Sequence, residues 1–330
     1  MNESPTQSFR RLYQPKLPFL FNDLANIQTY SREIPAIDDA IRNEFPHSKS
    51  LPILYFQKGK SAIANKPLKV GVIFSGGQAS GGHNVLSGLW DALKKIHFSS
   101  GLIGFLNGPS GLLNNSFIEL TEEKIAVYRN QGGFDLIGSG RTKIETEEQF
   151  EAVGNTLQKH SLDGLVIVGG DDSNTNAAFL AEYCKKNQID TQIVGVPKTI
   201  DGDLKNEYIE ISFGFDTASK MYAEMIGNLA KDALSAKKYT FFVKMMGRSA
   251  SHLTLECALQ THINLALIGE EIAAKQLTLN DIVSQIADLI CERSSVGKDY
   301  GVILIPEGLL EFFSPSCFSL SLKKSNSSWQ

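Results

Sequence analysis

The 330-residue chain is poor in cysteine, with four (Cys184, Cys257, Cys291 and Cys317) spread far apart and no Cys-x-x-Cys pair. That spacing argues against a zinc knuckle and a disulfide scaffold and suits a reducing compartment, where ordinary buried or half-buried thiols are expected. Basic excess is also missing: 36 acidic residues outnumber 32 basic ones for a formal charge of -4. Without it, wrapping nucleic acid is not expected, whereas a small anion held by a local cluster of Lys and Arg is compatible with the charge. No apolar run approaches the roughly 18 residues that cross a bilayer, and the first residues lack the basic-then-apolar pattern of a signal peptide. The expectation is a cytoplasmic protein with neither a membrane nor a nucleic-acid partner.

What is present is strand–helix alternation. From Pro67 onward, apolar runs of strand length (Lys69–Phe74, Leu102–Leu106, Gly164–Val168, Gln192–Val196, Tyr239–Lys244, Ile263–Ile268 and Gly301–Ile305) alternate with helical periodicity. Helices are expected at Asn84–His97, Asn174–Asn187, Asp216–Leu234, Ser251–Gln260 and Leu279–Glu292. Continuous rather than alternating apolar strands are those of a parallel sheet covered on both faces, so the fold class is α/β, doubly wound and mostly parallel, with ligands at the carboxyl ends of the strands. Residues 1–66 read as an N-terminal helical extension, with Ile37, Ile41 and Phe45 at helical spacing. Residues 67–200 and 201–310 read as two lobes. Residues 311–330, with seven serines, read as an irregular tail.

Three turns after strands carry the chemistry. Residues 75–84 hold four glycines, including Gly76 and Gly77, before the clearest helix; bare backbone and a helix N-terminus suit a phosphate, although a tight strand-to-helix turn needs no ligand. The second turn places Asp171 and Asp172 side by side after Gly169-Gly170. One carboxylate suffices as a helix cap, and two repel unless a cation is near; magnesium, shared with phosphate oxygens, fits. The third turn, Pro197-Lys198-Thr199-Ile200-Asp201-Gly202-Asp203, offers Asp201 as a general base and Lys198 as the charge opposite a transferring phosphoryl group.

Together with Gly138-Ser139-Gly140-Arg141, Gly214-Phe215-Asp216-Thr217-Ala218, Met246-Gly247-Arg248 and Pro306-Glu307-Gly308, these turns resemble the phosphofructokinases, in the long pyrophosphate-dependent branch of plants and some bacteria. The resemblance covers about Pro67 to Gly308. It implies a two-lobed fold and phosphoryl transfer between pyrophosphate and the 1-hydroxyl of fructose 6-phosphate, with Mg2+ as cofactor. By that resemblance Gly76 and Gly77 cradle the donor, Asp171 is the magnesium ligand, and Arg141 bridges donor and acceptor phosphates. Asp201 is the base, with Thr199, Ile200 and Asp203 beside it. Met246, Gly247 and Arg248 meet the sugar phosphate and Glu307 a sugar hydroxyl. Lys238 and Tyr239 reach into a neighbouring subunit's site, so a homo-oligomer, a homodimer by analogy, is expected.

Relatives that use ATP carry Gly at the positions of Asp172 and Lys198, so Asp172 is read as excluding the α-phosphate of ATP and Lys198 as serving the leaving phosphate. Ser80 replaces a proline common in the family. Family chains run well beyond position 330, so the second lobe is expected to be incomplete, and an inactive or regulatory subunit or truncated remnant is the alternative reading.

Overall fold

The computed structural model describes residues 4–32, 38–60, 66–207 and 209–313. The chain divides into two compact units, Met1–Lys198 and Thr199–Gln330.

In the first unit the elements are α1 (Pro5–Leu12), β1 (Ile27–Arg32), α2 (Asp39–Glu44), β2 (Ile53–Lys58), β3 (Lys69–Phe74), α3 (Gly82–Ile96), β4 (Gly101–Phe105), α4 (Pro109–Leu113), β5 (Phe117–Leu120), α5 (Glu122–Tyr128), α6 (Glu147–Lys159), β6 (Gly164–Gly169), α7 (Asp171–Lys186) and β7 (Gln192–Pro197). Strand order is β5-β4-β3-β6-β7, parallel except for β5. The apolar runs of β3, β4 and β6 bury Ile73, Ile103, Phe105, Leu165 and Ile167 against Val153 and Leu157 of α6 and Ala177 and Leu180 of α7. From β3 the chain first moves to one side, to β4 and then β5, and later returns to place β6 on the other side. Between β3 and β6 lies the switch point at which helices leave for opposite faces and ligands of such sheets bind.

The second unit contains α8 (Phe215–Ala236), β8 (Thr240–Met245), α9 (His252–Thr261), β9 (Leu265–Ala266), α10 (Gly269–Lys275), α11 (Leu279–Ser295) and β10 (Gly301–Pro306). Its sheet is all parallel, ordered β8-β10-β9. Central β10 is apolar on both faces. Val302 and Leu304 join a cluster with Ile226, Leu253 and Cys257, and Ile305 packs on another built from Leu267, Ile272, Ile282, Leu309 and Phe313.

The α/β class and the parallel sheets agree with expectation; several details differ. Residues 1–66 are not only helices and loops, because β1 and β2 form an antiparallel pair. Their signal is short: β-branched and aromatic residues in the runs at 27–32 and 53–58, with Tyr30 stacked on Tyr55. In the helix expected around Ile37–Phe45, α2 is capped by Asp38, whose side chain accepts from the Ala40 N–H; Ile37 lies outside the described residues. The strand expected over Ile263–Ile268 shrinks to two residues at a sheet edge. Of the irregular tail expected over 311–330, Glu311 and Phe312 instead close a 3-10 turn (Leu309–Phe312) and Phe313 is buried in the second unit's core; residues 314–330 lie outside the described residues. Cys184 and Cys257 are buried and Cys291 is exposed, while Cys317 is outside the description.

The N-terminal segment is fastened to the back of α7. Phe45 packs on Phe179 at 4.9 Å, and the Glu182 carboxylate accepts from the His47 N–H (2.8 Å), the Ser48 N–H (2.8 Å) and Ser48 Oγ (2.6 Å). Burial alone pushes this carboxyl up, but the three donors outweigh it and hold it below the usual range. A depressed carboxyl contributes stability that is present above its unfolded pKa and lost as pH falls through the folded value. Glu182→Ala is expected to cost about 2 kcal/mol in urea unfolding at neutral pH, the scale of hydrogen bonds to a charged acceptor, with the difference from the parent shrinking in acid.

Candidate active site

The strand tips of the first unit draw three of the anticipated segments together. Ser75 N–H donates to the Val168 carbonyl (2.8 Å), continuing the β3–β6 pairing into the turn, and Ser173 Oγ lies 2.8 Å from Ser75 Oγ. Gly76, at φ +85°, donates its N–H to the Gly140 carbonyl (2.8 Å). Arg141 then stands over the turn: a Cβ added to Gly77 would lie 3.6 Å from its Nη2. Beyond β7, Lys198 donates its backbone N–H to the Gly169 carbonyl (2.8 Å) and folds its ammonium onto the Gly77 carbonyl (2.7 Å). Lys198 is only 8% exposed, so this cation is built into the turn rather than waving in solvent.

Helix α7 starts three residues before the expected position, at Asp171, because carboxylates are favoured in a first turn next to the helix's positive end. Gly170 is the N-cap, with no side-chain capping bond, and both Asp171 and Asp172 are exposed. The pair therefore does not serve as a cap. One or two carboxylates beside bare backbone suit a cation shared with phosphate oxygens, which needs few protein ligands. No group of three or more His, Cys, Asp or Glu able to hold a metal occurs among the described residues.

The second unit gathers its own set. Thr199 Oγ1 accepts the Asp201 N–H (3.0 Å), and Ser212 Oγ donates to the Thr199 carbonyl (2.6 Å), so the turn 199–203 is stiffened from within. Ile200 is half-buried in that turn. Glu307 Oε1 accepts from the Gly247 N–H (3.4 Å), and the Glu307 and Gly308 N–H groups donate to Met245 and Gly247. Only glycine fits at 308, where a Cβ would fall 1.6 Å from the Arg248 carbonyl. Met246, Gly247 and Arg248 thus sit beside Glu307 at the carboxyl ends of β8 and β10.

Asp201 is raised above its ordinary value by burial first, then by Asp203 and Glu307, against the pull of Arg248, whose charge and backbone hydrogen bond favour the ionised form. Lys238 and Tyr239 are not part of this group: they precede β8, whereas Met246–Arg248 follow it, about 20 Å away at the usual strand rise. Tyr239 has φ +75° and its ring lies under the Lys238 ammonium.

Three neighbours were not singled out from sequence. Ser249 Oγ donates to Asp203 Oδ2 (3.1 Å), His252 Nδ1 lies 2.9 Å from the Gly202 carbonyl, and Tyr222 OH lies 3.1 Å from Met246 Sδ. Each belongs to a helix or loop whose periodicity explains it as packing, and only the fold shows what it touches.

The phosphofructokinase family profile matches residues 69–320. The chain belongs to the phosphofructokinase family. It is 51% identical over 325 residues to a pyrophosphate–fructose 6-phosphate 1-phosphotransferase from Treponema pallidum, covering 94% of this chain and 57% of that protein. It is also 55% identical over 273 residues to the β subunit of the enzyme of that name from Solanum tuberosum, covering 80% of this chain and 48% of the subunit. The chain spans about half the length of these relatives. A phosphofructokinase structure from Saccharomyces cerevisiae shares the fold, with a TM-score of 0.64 at 21% identity over 80% of this chain and 37% of that one. No helix among the described residues is long and apolar enough to cross a membrane.

A raised carboxyl such as Asp201 contributes stability that is present below its unfolded pKa and lost as pH rises through the folded value. Asp201→Asn is therefore expected to unfold at higher urea than the parent at neutral pH, with the two midpoints converging as pH falls to about 4. Urea titrations at several pH values check this.

Proposed function

We propose that this phosphofructokinase-family chain transfers a phosphoryl group from pyrophosphate to the 1-hydroxyl of fructose 6-phosphate. The products are fructose 1,6-bisphosphate and phosphate, in a reversible glycolytic step. The observation that carries the donor assignment is Lys198, whose ammonium sits on the Gly77 carbonyl, in a unit that also presents the exposed Asp172 carboxylate in the first turn of α7. A carboxylate there opposes the α-phosphate of a nucleotide, and a fixed cation serves the phosphate that leaves.

In this reading the Gly76–Gly77 turn and Arg141 hold pyrophosphate. Asp171, with Asp172 next to it, is the group that would hold Mg2+, which when bound neutralises charge on the phosphate oxygens. Met246, Gly247, Arg248 and Glu307 hold the sugar phosphate, and Asp203, held by Ser249, supports the turn. The 1-hydroxyl oxygen attacks the terminal phosphorus, the bridging P–O bond breaks towards phosphate, and the hydroxyl proton passes to Asp201. A carboxylate raised by burial is a better proton acceptor near neutrality than an ordinary one. Lys238 and Tyr239, away from their own unit's cluster, are assigned to the site of a second copy in a homo-oligomer. Soluble, cytoplasmic operation suits these substrates.

The test uses the full chain with Mg2+, fructose 6-phosphate and either donor. Turnover with pyrophosphate and none with ATP is expected, and loss of at least about a hundredfold in Asp201→Asn. Folded protein inert with both donors would instead favour a regulatory or inactive subunit. Asp172→Gly is expected to admit ATP. If pyrophosphate remains the sole donor in that variant, exclusion of nucleotide by Asp172 is wrong.

A further inference from the structure

His83 is fully buried at the start of α3, directly behind the glycine-rich turn, and nothing in the transfer step uses it. Its two ring nitrogens have opposite partners. Nε2 faces the Leu136 N–H at 3.1 Å, and since an amide N–H can only donate, Nε2 must accept. Nδ1 faces the Gln131 carbonyl at 3.0 Å, which can only accept, so Nδ1 must carry the proton. Both bonds are satisfied by one state alone, the neutral ring with its proton on Nδ1. The His83 backbone N–H also donates to the Gly133 carbonyl (3.2 Å). One residue therefore holds positions 131, 133 and 136.

That loop leads straight to the donor turn. Gly138 N–H donates to the Phe134 carbonyl (2.8 Å), Asn107 N–H to the Ile137 carbonyl (2.9 Å), and Gly76 N–H to the Gly140 carbonyl (2.8 Å), with Arg141 next. Packing fixes the same segment: Phe134 stacks on Phe74 of β3 at 4.2 Å. The neighbouring Gly82 has no room for a side chain, because a Cβ would lie 2.2 Å from the Phe134 ring.

We propose that His83 is a positioning residue for the donor site: its neutral ring locks residues 131–141 so that Gly140 and Arg141 meet the Gly76–Gly77 turn. This deepens, and rests on, the donor assignment made above.

Protonation breaks the lock, because a second ring N–H would point at the Leu136 N–H. The groups facing the ring are the Gln131 and Gly132 backbone and Asp135 from the loop, which favour the cation, and the Tyr128 ring of α5 at 4.7 Å; burial outweighs the Gln131 bond, Asp135 and Gly132 and lowers the His83 pKa below its ordinary value. A histidine lowered in the folded state contributes stability that is complete above its unfolded pKa and is lost as pH falls through the folded value. The loop is thus tight at neutral pH and loosens in acid.

The test is amide hydrogen exchange of the full chain between about pH 7.5 and about pH 5, corrected for intrinsic rates, alongside binding of magnesium pyrophosphate. Protection of the Leu136 and Gly76 amides is expected to fall in acid by on the order of tenfold, the scale of one lost hydrogen bond, with pyrophosphate affinity falling in step. His83→Phe, similar in size but without either bond, is expected to be loose at both pH values. His83→Gln, which does not titrate, is expected to abolish the acid step. Unchanged protection in acid, an acid step that persists in His83→Gln, or pyrophosphate affinity indifferent to the step would each overturn the proposal. A chain that shows the step yet binds no pyrophosphate at any pH sinks the donor assignment and the positioning role that rests on it. It leaves the His83 lock itself standing, so the two failures are told apart.

Discussion

The proposed donor site depends on one short contact, the Lys198 ammonium on the Gly77 carbonyl. It joins the exit of β7 to the turn after β3, two strands separated in the sheet by β6. A lysine with so little exposure gives up most of its hydration, and it stays charged only where carbonyl oxygens replace that water. The bond therefore does two things: it fixes the backbone at Gly77, where no side chain can do so, and it leaves positive charge beside the glycine-rich turn. The first turn of α7 balances it with Asp171 and Asp172. Charge of both signs at the switch point of a parallel sheet is the physical setting in which a small polyanion with its cation can be held.

The second unit handles charge differently. Asp201, Asp203 and Glu307 crowd one turn region, with Arg248 as the opposing charge. Crowding of like charges and burial destabilise the folded unit, and they also give Asp201 a proton affinity above that of a solvent-exposed aspartate. A site that costs stability and gains basicity is the pattern expected where a proton must be taken up during reaction. Local stiffness comes from groups without charge: Thr199, Ser212 and Ser249 hold the acidic turn through hydroxyls.

Much of this was legible in sequence, for identifiable reasons. β3, β6 and β10 are largely apolar runs, β6 ended by Gly169, β10 by Pro306 and β3 by Ser75 before Gly76-Gly77, and each lies within a residue of its expected bounds. Where tertiary contact rather than local pattern decides, the reading failed. β5 is four residues at an edge with one apolar face, and α4 is a single turn entered through Gly108 at φ +71°. The early start of α7 was hidden because aspartate, serine and asparagine count against a helix interior, while a first turn tolerates them. At the site, residues carrying charge on a turn were found, whereas Ser249, His252 and His83 were not. Serine and histidine on a helix or loop have many ordinary explanations, and only the partner reveals the role.

The most direct measurement is calorimetric titration of magnesium pyrophosphate into the full chain and into Lys198→Met, which keeps an unbranched stem out to Cε and removes the ammonium. If the ammonium on Gly77 shapes the donor turn, the variant binds at least about tenfold more weakly, a loss of one charge-assisted contact. Equal affinity in the two proteins would contradict the account.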